Sequence, residues 1–196
     1  MLKLAPILLA IAYGLVFFRF SAWRTAKELD DKSNPLADPQ LTVFPDKMAQ
    51  ALDLPQISVH IYEFDPVNGL AAPDGRIFIT RGFYRKFHQG EVSGPELASV
   101  IAHELGHVAL GHSRKRMIDF SGQNALRTAL AMVLNRFLPG VGIYVAGFLT
   151  SLLAAHLSRS DEFEADAYAT ALLIKSGIGA EGQISLFTKL EALTGT

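Results

Sequence analysis

His103-Glu104-Leu105-Gly106-His107 sets two histidines four residues apart, with a glutamate beside the first. On an α-helix that spacing projects both imidazoles from one face, about a turn apart. Two imidazoles so placed can bind one Zn²⁺ through nitrogens at about 2.0–2.1 Å. Glu104 stands one step round the helix, beside the ion rather than on it. From there its carboxylate can accept the proton of a zinc-bound water and later pass it to a leaving amine. Chance alone gives such a motif in a chain this long with odds of roughly one in a hundred. As ordinary core residues, two histidines and a glutamate on an apolar helix would be costly to bury unless paired. Metal chemistry is the better account.

A catalytic zinc takes a third protein ligand and keeps a fourth position open. Ser158-Arg159-Ser160-Asp161-Glu162-Phe163-Glu164-Ala165-Asp166 is the strong candidate segment. Helical spacing puts Glu162 and Asp166 on one face. Glu162 can complete the ligand set, while Asp166 accepts a hydrogen bond from the free ring nitrogen of a ligand histidine and fixes its tautomer. The competing explanation is a solvated acidic helix start, with Asp161 an ordinary N-terminal charge.

These groups need rigid elements beneath them. Ser93-Gly94-Pro95-Glu96 is a strong helix start: Ser93 caps the Glu96 amide, the Glu96 carboxylate reaches back, and Pro95 sits in the first turn. Leu97, Val100, Ile101, Leu105 and Val108 then form an apolar stripe, and Gly111 is a plausible stop. Upstream, residues 57–62 and 76–80 read as strands, with turn signals between Asn68 and Gly75. Residues 46–52 read as a short helix, and nearly everything after Gly94 is helical.

HELGHVALGH, followed much later by SRSDEFEAD, resembles the HtpX-like family of gluzincin peptidases, which includes the CAAX prenyl endopeptidases and the Oma-type proteases. Its signature is HExxH plus a distal ExxxD, commonly preceded by Ser-Arg. NGLAAPDGRIFIT, from Asn68 to Thr80, is similar to another family segment, with Gly69 and Leu70 departing from Ala and Phe. The similarity runs from about Pro45 to the C-terminus. It implies an α+β gluzincin-type fold, a small β-sheet packed on the HExxH helix with a helical C-terminal half. It further implies one zinc per chain on His103, His107 and Glu162, with Glu104 as the base and Asp166 supporting His103. By the same resemblance, the segment from Asn68 edges the cleft, where Asn68 and Ala71 contact the backbone of an extended protein or peptide substrate.

The N-terminus adds an address. Leu4 to Phe18 carries no charge, and Phe20, Ala22 and Trp23 extend the apolar run past Arg19. No small-x-small cleavage site follows, so residues 1–23 read as an uncleaved transmembrane anchor of a bacterial-type cell membrane. Arg19, Arg24 and Lys27 outweigh Lys3 and the amino terminus by only one charge, a slight lean toward a cytoplasmic catalytic domain that leaves the membrane face open. Residues 24–45 read as a linker, and 46–196 as the peptidase domain. Within it, residues 124–157 form an apolar hairpin or lid that can associate with membrane lipid. His112-Ser113-Arg114-Lys115-Arg116 beside it suits anionic headgroups or, equally, a solvated loop.

Composition narrows the rest. A net charge of −1 gives no pull toward nucleic acid, and the absence of cysteine excludes disulfides, thiolate metal sites and thiol nucleophiles. The expected reaction is hydrolysis of internal peptide bonds in membrane-protein quality control. Two rivals stand beside it: a non-proteolytic chaperone that keeps the fold, and a zinc amidohydrolase acting on a small substrate. His60, His88, His112, His156 and Tyr168 are candidates for stabilising an oxyanion, and spacing selects none of them.

Overall fold

A computed structural model describes Arg24 and residues 26–72, 74–112, 127, 130–131, 133–137 and 140–194 of the 196-residue chain. The expected anchor at 1–23 and the basic cluster at 113–116 lie outside the described residues. Among those described, no helix is long and apolar enough to cross a membrane.

Four short strands make one mixed sheet: β1 (Ser33–Pro35), β2 (Val59–Tyr62), β3 (Gly69–Ala71) and β4 (Ile77–Thr80), in spatial order β1-β2-β4-β3. β2 and β4 run parallel, while β1 and β3 are antiparallel to their neighbours. Ile77, Phe78 and Ile79 are buried on both faces of β4, which explains why this strand reads as a continuous apolar run. β3 closes one side of the sheet as an edge.

The helices are α1 (Pro39–Ala51), α2 (Arg81–His88), α3 (Gly94–Ala109), α4 (Gly142–Lys175) and α5 (Glu181–Thr194). α3 is the hub, packing against α1, α4, α5, β3 and β4. Leu97, Ile101 and Leu105 are buried in the main core, with Val100 and Val108 packed at its margin, as the apolar stripe requires.

The stretch expected to be a linker is built into the domain. Residues 26–31 are helical, Ser33–Pro35 pair with β2, and α1 begins at Pro39 on an Asp38 cap. In local terms a helix starts only after Pro45, because proline removes an amide from a helix interior. Here Leu41, Pro45, Met48 and Ala49 share the buried face of α1, and that burial outweighs the lost hydrogen bond.

α4 is continuous for 34 residues, so the apolar stretch before Ser158 and the acidic ligand segment after it belong to one helix. Its first half and the residues before it leave Val133, Phe137, Tyr144, Phe148 and Leu152 exposed.

Glu96 locks α5 onto the start of α3. The residue is 1% exposed, yet its carboxylate accepts from the Ser93 amide at 2.7 Å and the Ser185 hydroxyl at 2.5 Å, and pairs with Lys189 Nζ at 2.7 Å. Burial pushes its pKa up, but Lys189, Ser185 and Ser93 together hold it down to about 2. A folded-state pKa below the ordinary 4.5 means this stabilisation is complete above 4.5 and is lost as pH falls toward 2. Glu96→Gln is therefore expected to cost about 2–3 kcal/mol at neutral pH and to flatten the fall in stability over that acid range, read by chemical denaturation at a series of pH values.

Candidate metal centre and active site

The capping box at Ser93 and Glu96 fixes where α3 begins, and thereby which of its faces carries His103 and His107. That face meets α4 at Gly106. A Cβ built on Gly106 would come within 3.0 Å of the Ala165 carbonyl oxygen and 3.1 Å of its Cα. Glycine on one helix and alanine on the other thus bring the two backbones close enough for short side chains to meet.

His103 Nε2 lies 3.1 Å from His107 Nε2, and Glu162 Oε2 lies 3.4 Å from the first and 3.7 Å from the second. A tetrahedral ion with bonds of about 2.0–2.1 Å holds its ligand atoms about 3.3–3.4 Å apart. The triangle has the size that a zinc-sized ion requires, and the three side chains form a group able to hold a metal. On the far side of the first ring, His103 Nδ1 lies 2.8 Å from Asp166 Oδ1. That nitrogen donates to the carboxylate, which leaves the Nε2 lone pair pointing into the triangle. Such a lone pair, set against a second imidazole nitrogen and a carboxylate oxygen, matches the donor set of a divalent cation.

Two cavities meet at this centre, sharing Asn68, Gly69, His103, Glu104 and Glu162 in their walls. One, of about 330 Å³, extends toward α5 between Phe83, Val100, Leu186 and Leu190, and is mostly apolar. The other, of about 450 Å³, runs beneath Leu70, Ala71 and His107, and is mostly polar. Glu104 borders both.

β3 lies along this cleft. Thr80 N donates to Asn68 O at 3.1 Å and Ala72 N to Arg76 O at 2.9 Å, so the even-numbered residues face β4. Gly69 and Ala71 therefore turn their backbone groups to the open edge. Asn68, expected to contact substrate, lines both cavities and is also tied to its neighbours. Its amide donates to Thr80 Oγ1, and its side-chain oxygen accepts from the Gly69 amide, each at 3.0 Å. Gly69, which departs from the alanine of the family segment, has a steric reason here. A Cβ there would fall 2.5 Å from Val100 Cγ1 and 3.2 Å from Glu104 Cγ, so glycine lets the edge strand lie directly on the glutamate.

Of the oxyanion candidates, His60 stacks on Phe78, and His88 approaches Asp38 Oδ2 at 3.1 Å; neither borders the cavities. Tyr168 packs against Gly106 between α3 and α4, where burial raises its pKa. His112 lies against His107 instead.

Comparison with known proteins gives the family. The family model described as Peptidase family M48 matches residues 35–196. The chain belongs to peptidase family M48. Its relatives include metalloprotease LoiP of Escherichia coli, 30% identical over 176 residues that cover 87% of this chain and 68% of the relative. Metalloprotease YcaL of the same organism is 30% identical over 71% of this chain and 53% of its own length. A putative beta-barrel assembly-enhancing protease of Vibrio cholerae is 34% identical over 56% of this chain, a quarter (25%) of its own length. As an M48 peptidase the protein is a metalloendopeptidase acting on peptide or protein substrates, and the resemblance noted in the HExxH and ExxxD segments is to this family.

The M48 fold makes the helix contact at Gly106 a sensitive point. Gly106→Val is expected to wedge α3 and α4 apart, destabilising the domain by about 1–3 kcal/mol. Widening the triangle should also weaken retention of any divalent metal held there at least about tenfold. Zinc competition with a colour-forming chelator measures the second effect, and thermal unfolding of the metal-free protein the first.

Proposed function

We propose that the protein is a zinc-dependent endopeptidase in which His103, His107 and Glu162 hold the metal and Glu104 handles the proton. The observation that carries this reading is the convergence of two imidazoles from α3 and one carboxylate from α4 on a single triangle, with Glu104 beside it. Zinc held there would lower the pKa of a water toward about 7 and polarise a carbonyl. Glu104, at the junction of the two cavities, is placed where it would accept a proton from an attacking water and return it to the departing amine. Asp166 keeps His103 in the tautomer that offers Nε2. The outward carbonyl of Gly69 and the outward backbone groups of Ala71 pair with an extended substrate, giving binding that tolerates many sequences. A large apolar side chain next to the scissile bond suits the cavity toward α5.

Cavities on both sides of the centre favour a polypeptide over a small amide, and the retained Glu104 favours hydrolysis over a chaperone role. The setting we propose is a bacterial membrane, with residues 1–23 as the anchor and the exposed apolar half of α4 turned toward lipid. Membrane proteins under quality control are the corresponding substrates, a reading supported by the beta-barrel assembly-enhancing protease among the relatives.

Chelation tests the metal and the substrate together. Dialysis against 1,10-phenanthroline is expected to stop cleavage of casein, and about one equivalent of zinc per chain to restore it. Casein cleavage that persists in fully metal-free protein would rule the reading out, and restored hydrolysis of small amides alone would select the amidohydrolase.

A further inference from the structure

His112 lies one residue beyond the turn that ends α3. Gly111 takes a left-handed conformation (φ +74°), and His112 then sits against the underside of His107. It is 2% exposed, among the most completely buried polar side chains described. Its Nδ1 lies 3.0 Å from His107 Nδ1. Its Nε2 faces two carboxylates of α4, at 3.5 Å from Glu164 Oε2 and 3.7 Å from Asp161 Oδ1, and Asp161 is itself 3% exposed.

We propose that His112 is a positioning residue for the metal centre, acting through His107. The inference rests on the metal reading given above. To offer its Nε2 lone pair to a cation, neutral His107 must carry its proton on Nδ1. That proton needs an acceptor, and His112 Nδ1 is at hydrogen-bond distance. His112 must then carry its own proton on Nε2, the nitrogen turned toward the carboxylates of α4. One assignment thus satisfies the whole string, from carboxylates through His112 and His107 to the metal. The two ligand histidines are held by different means: His103 by the Asp166 carboxylate directly, and His107 by an imidazole backed by carboxylates. Each is oriented from α4, so the helix that brings Glu162 also aims both rings.

Loss of such a supporting partner typically lowers metal affinity about 10–100-fold. The test compares His112→Leu, which removes the acceptor, with His112→Asn, which keeps an acceptor oxygen. Zinc affinity is read by competition with a chromophoric chelator. The visible spectrum of the cobalt-substituted protein reads ligand geometry, and thermal unfolding of the metal-free proteins reads the fold. The expected result is a 10–100-fold loss of zinc affinity and an altered cobalt spectrum in His112→Leu, with much of both recovered in His112→Asn. Metal-free stability should not follow that order. Wild-type zinc affinity in His112→Leu would overturn the inference, as would equal losses in the two variants that track their metal-free stability. If His112→Leu fails to fold, His112→Asn still decides: zinc affinity near wild type supports the role, and a drop of tenfold or more with a normal fold overturns it. A wild-type protein that binds no zinc would sink the metal reading itself, which is a separate result.

Discussion

Glu104→Gln is expected to abolish peptide hydrolysis while leaving zinc bound at about one per chain. Glutamine matches glutamate in volume, so the contact with Gly69 and the packing of α3 are retained. What disappears is the ability to accept a proton at that position. General-base catalysis of this kind is worth about 10²–10⁴-fold, and here the same carboxylate serves both halves of the reaction, so the loss should lie at the upper end. Substrate affinity should change little, because the contacts proposed for substrate come from the edge of β3 and the apolar cavity. A fall in kcat with KM preserved, measured on a fluorogenic peptide, is the expected signature. Casein cleavage at the wild-type rate by Glu104→Gln would remove Glu104 from the role of base.

Glu162→Ala should act by the opposite route, emptying the site. It removes one corner of the triangle, and the corner from α4 is the one that ties the two helices through the ion. Two imidazoles from a single helix remain, a set that no longer encloses a tetrahedral cation. Zinc content after dialysis is expected to fall to near background, and proteolysis with it. Glu162 is half exposed, so little packing is lost and the metal-free fold should unfold near the wild-type temperature. Zinc retained at wild-type affinity would show that the third ligand comes from elsewhere.

The two variants separate chemistry from binding because the sequence made both roles visible. Ser93, Pro95 and Glu96 announce a helix start in local terms, so the motif at His103 could be placed on a helical face before any fold was known. Glu162 and Asp166 were legible for the same reason, being four apart within a helical pattern. Which histidine Asp166 would meet was implied only by family resemblance, because it depends on how α3 and α4 cross. The crossing is set by Gly106 against Ala165, a contact with no local signal. β3 was hidden by its length of three residues and by the turn-like Asn68-Gly69 at its start. Residues 24–45 look like a linker in sequence because proline and aspartate suit linkers and helix starts equally well, and tertiary burial of Leu41 and Met48 decides between them. In sequence His112 belongs with the basic residues that follow it. Its place against His107 depends on the Gly111 turn and on carboxylates about fifty positions away in the sequence, which no motif encodes.

Zinc K-edge X-ray absorption on the purified protein addresses the metal centre directly. The account predicts about one zinc per chain, ligated only by nitrogen and oxygen at about 2.0–2.1 Å, with the scattering pattern of two imidazoles. A protein without tightly held zinc, or a spectrum showing no imidazole in the ligand shell, would contradict it.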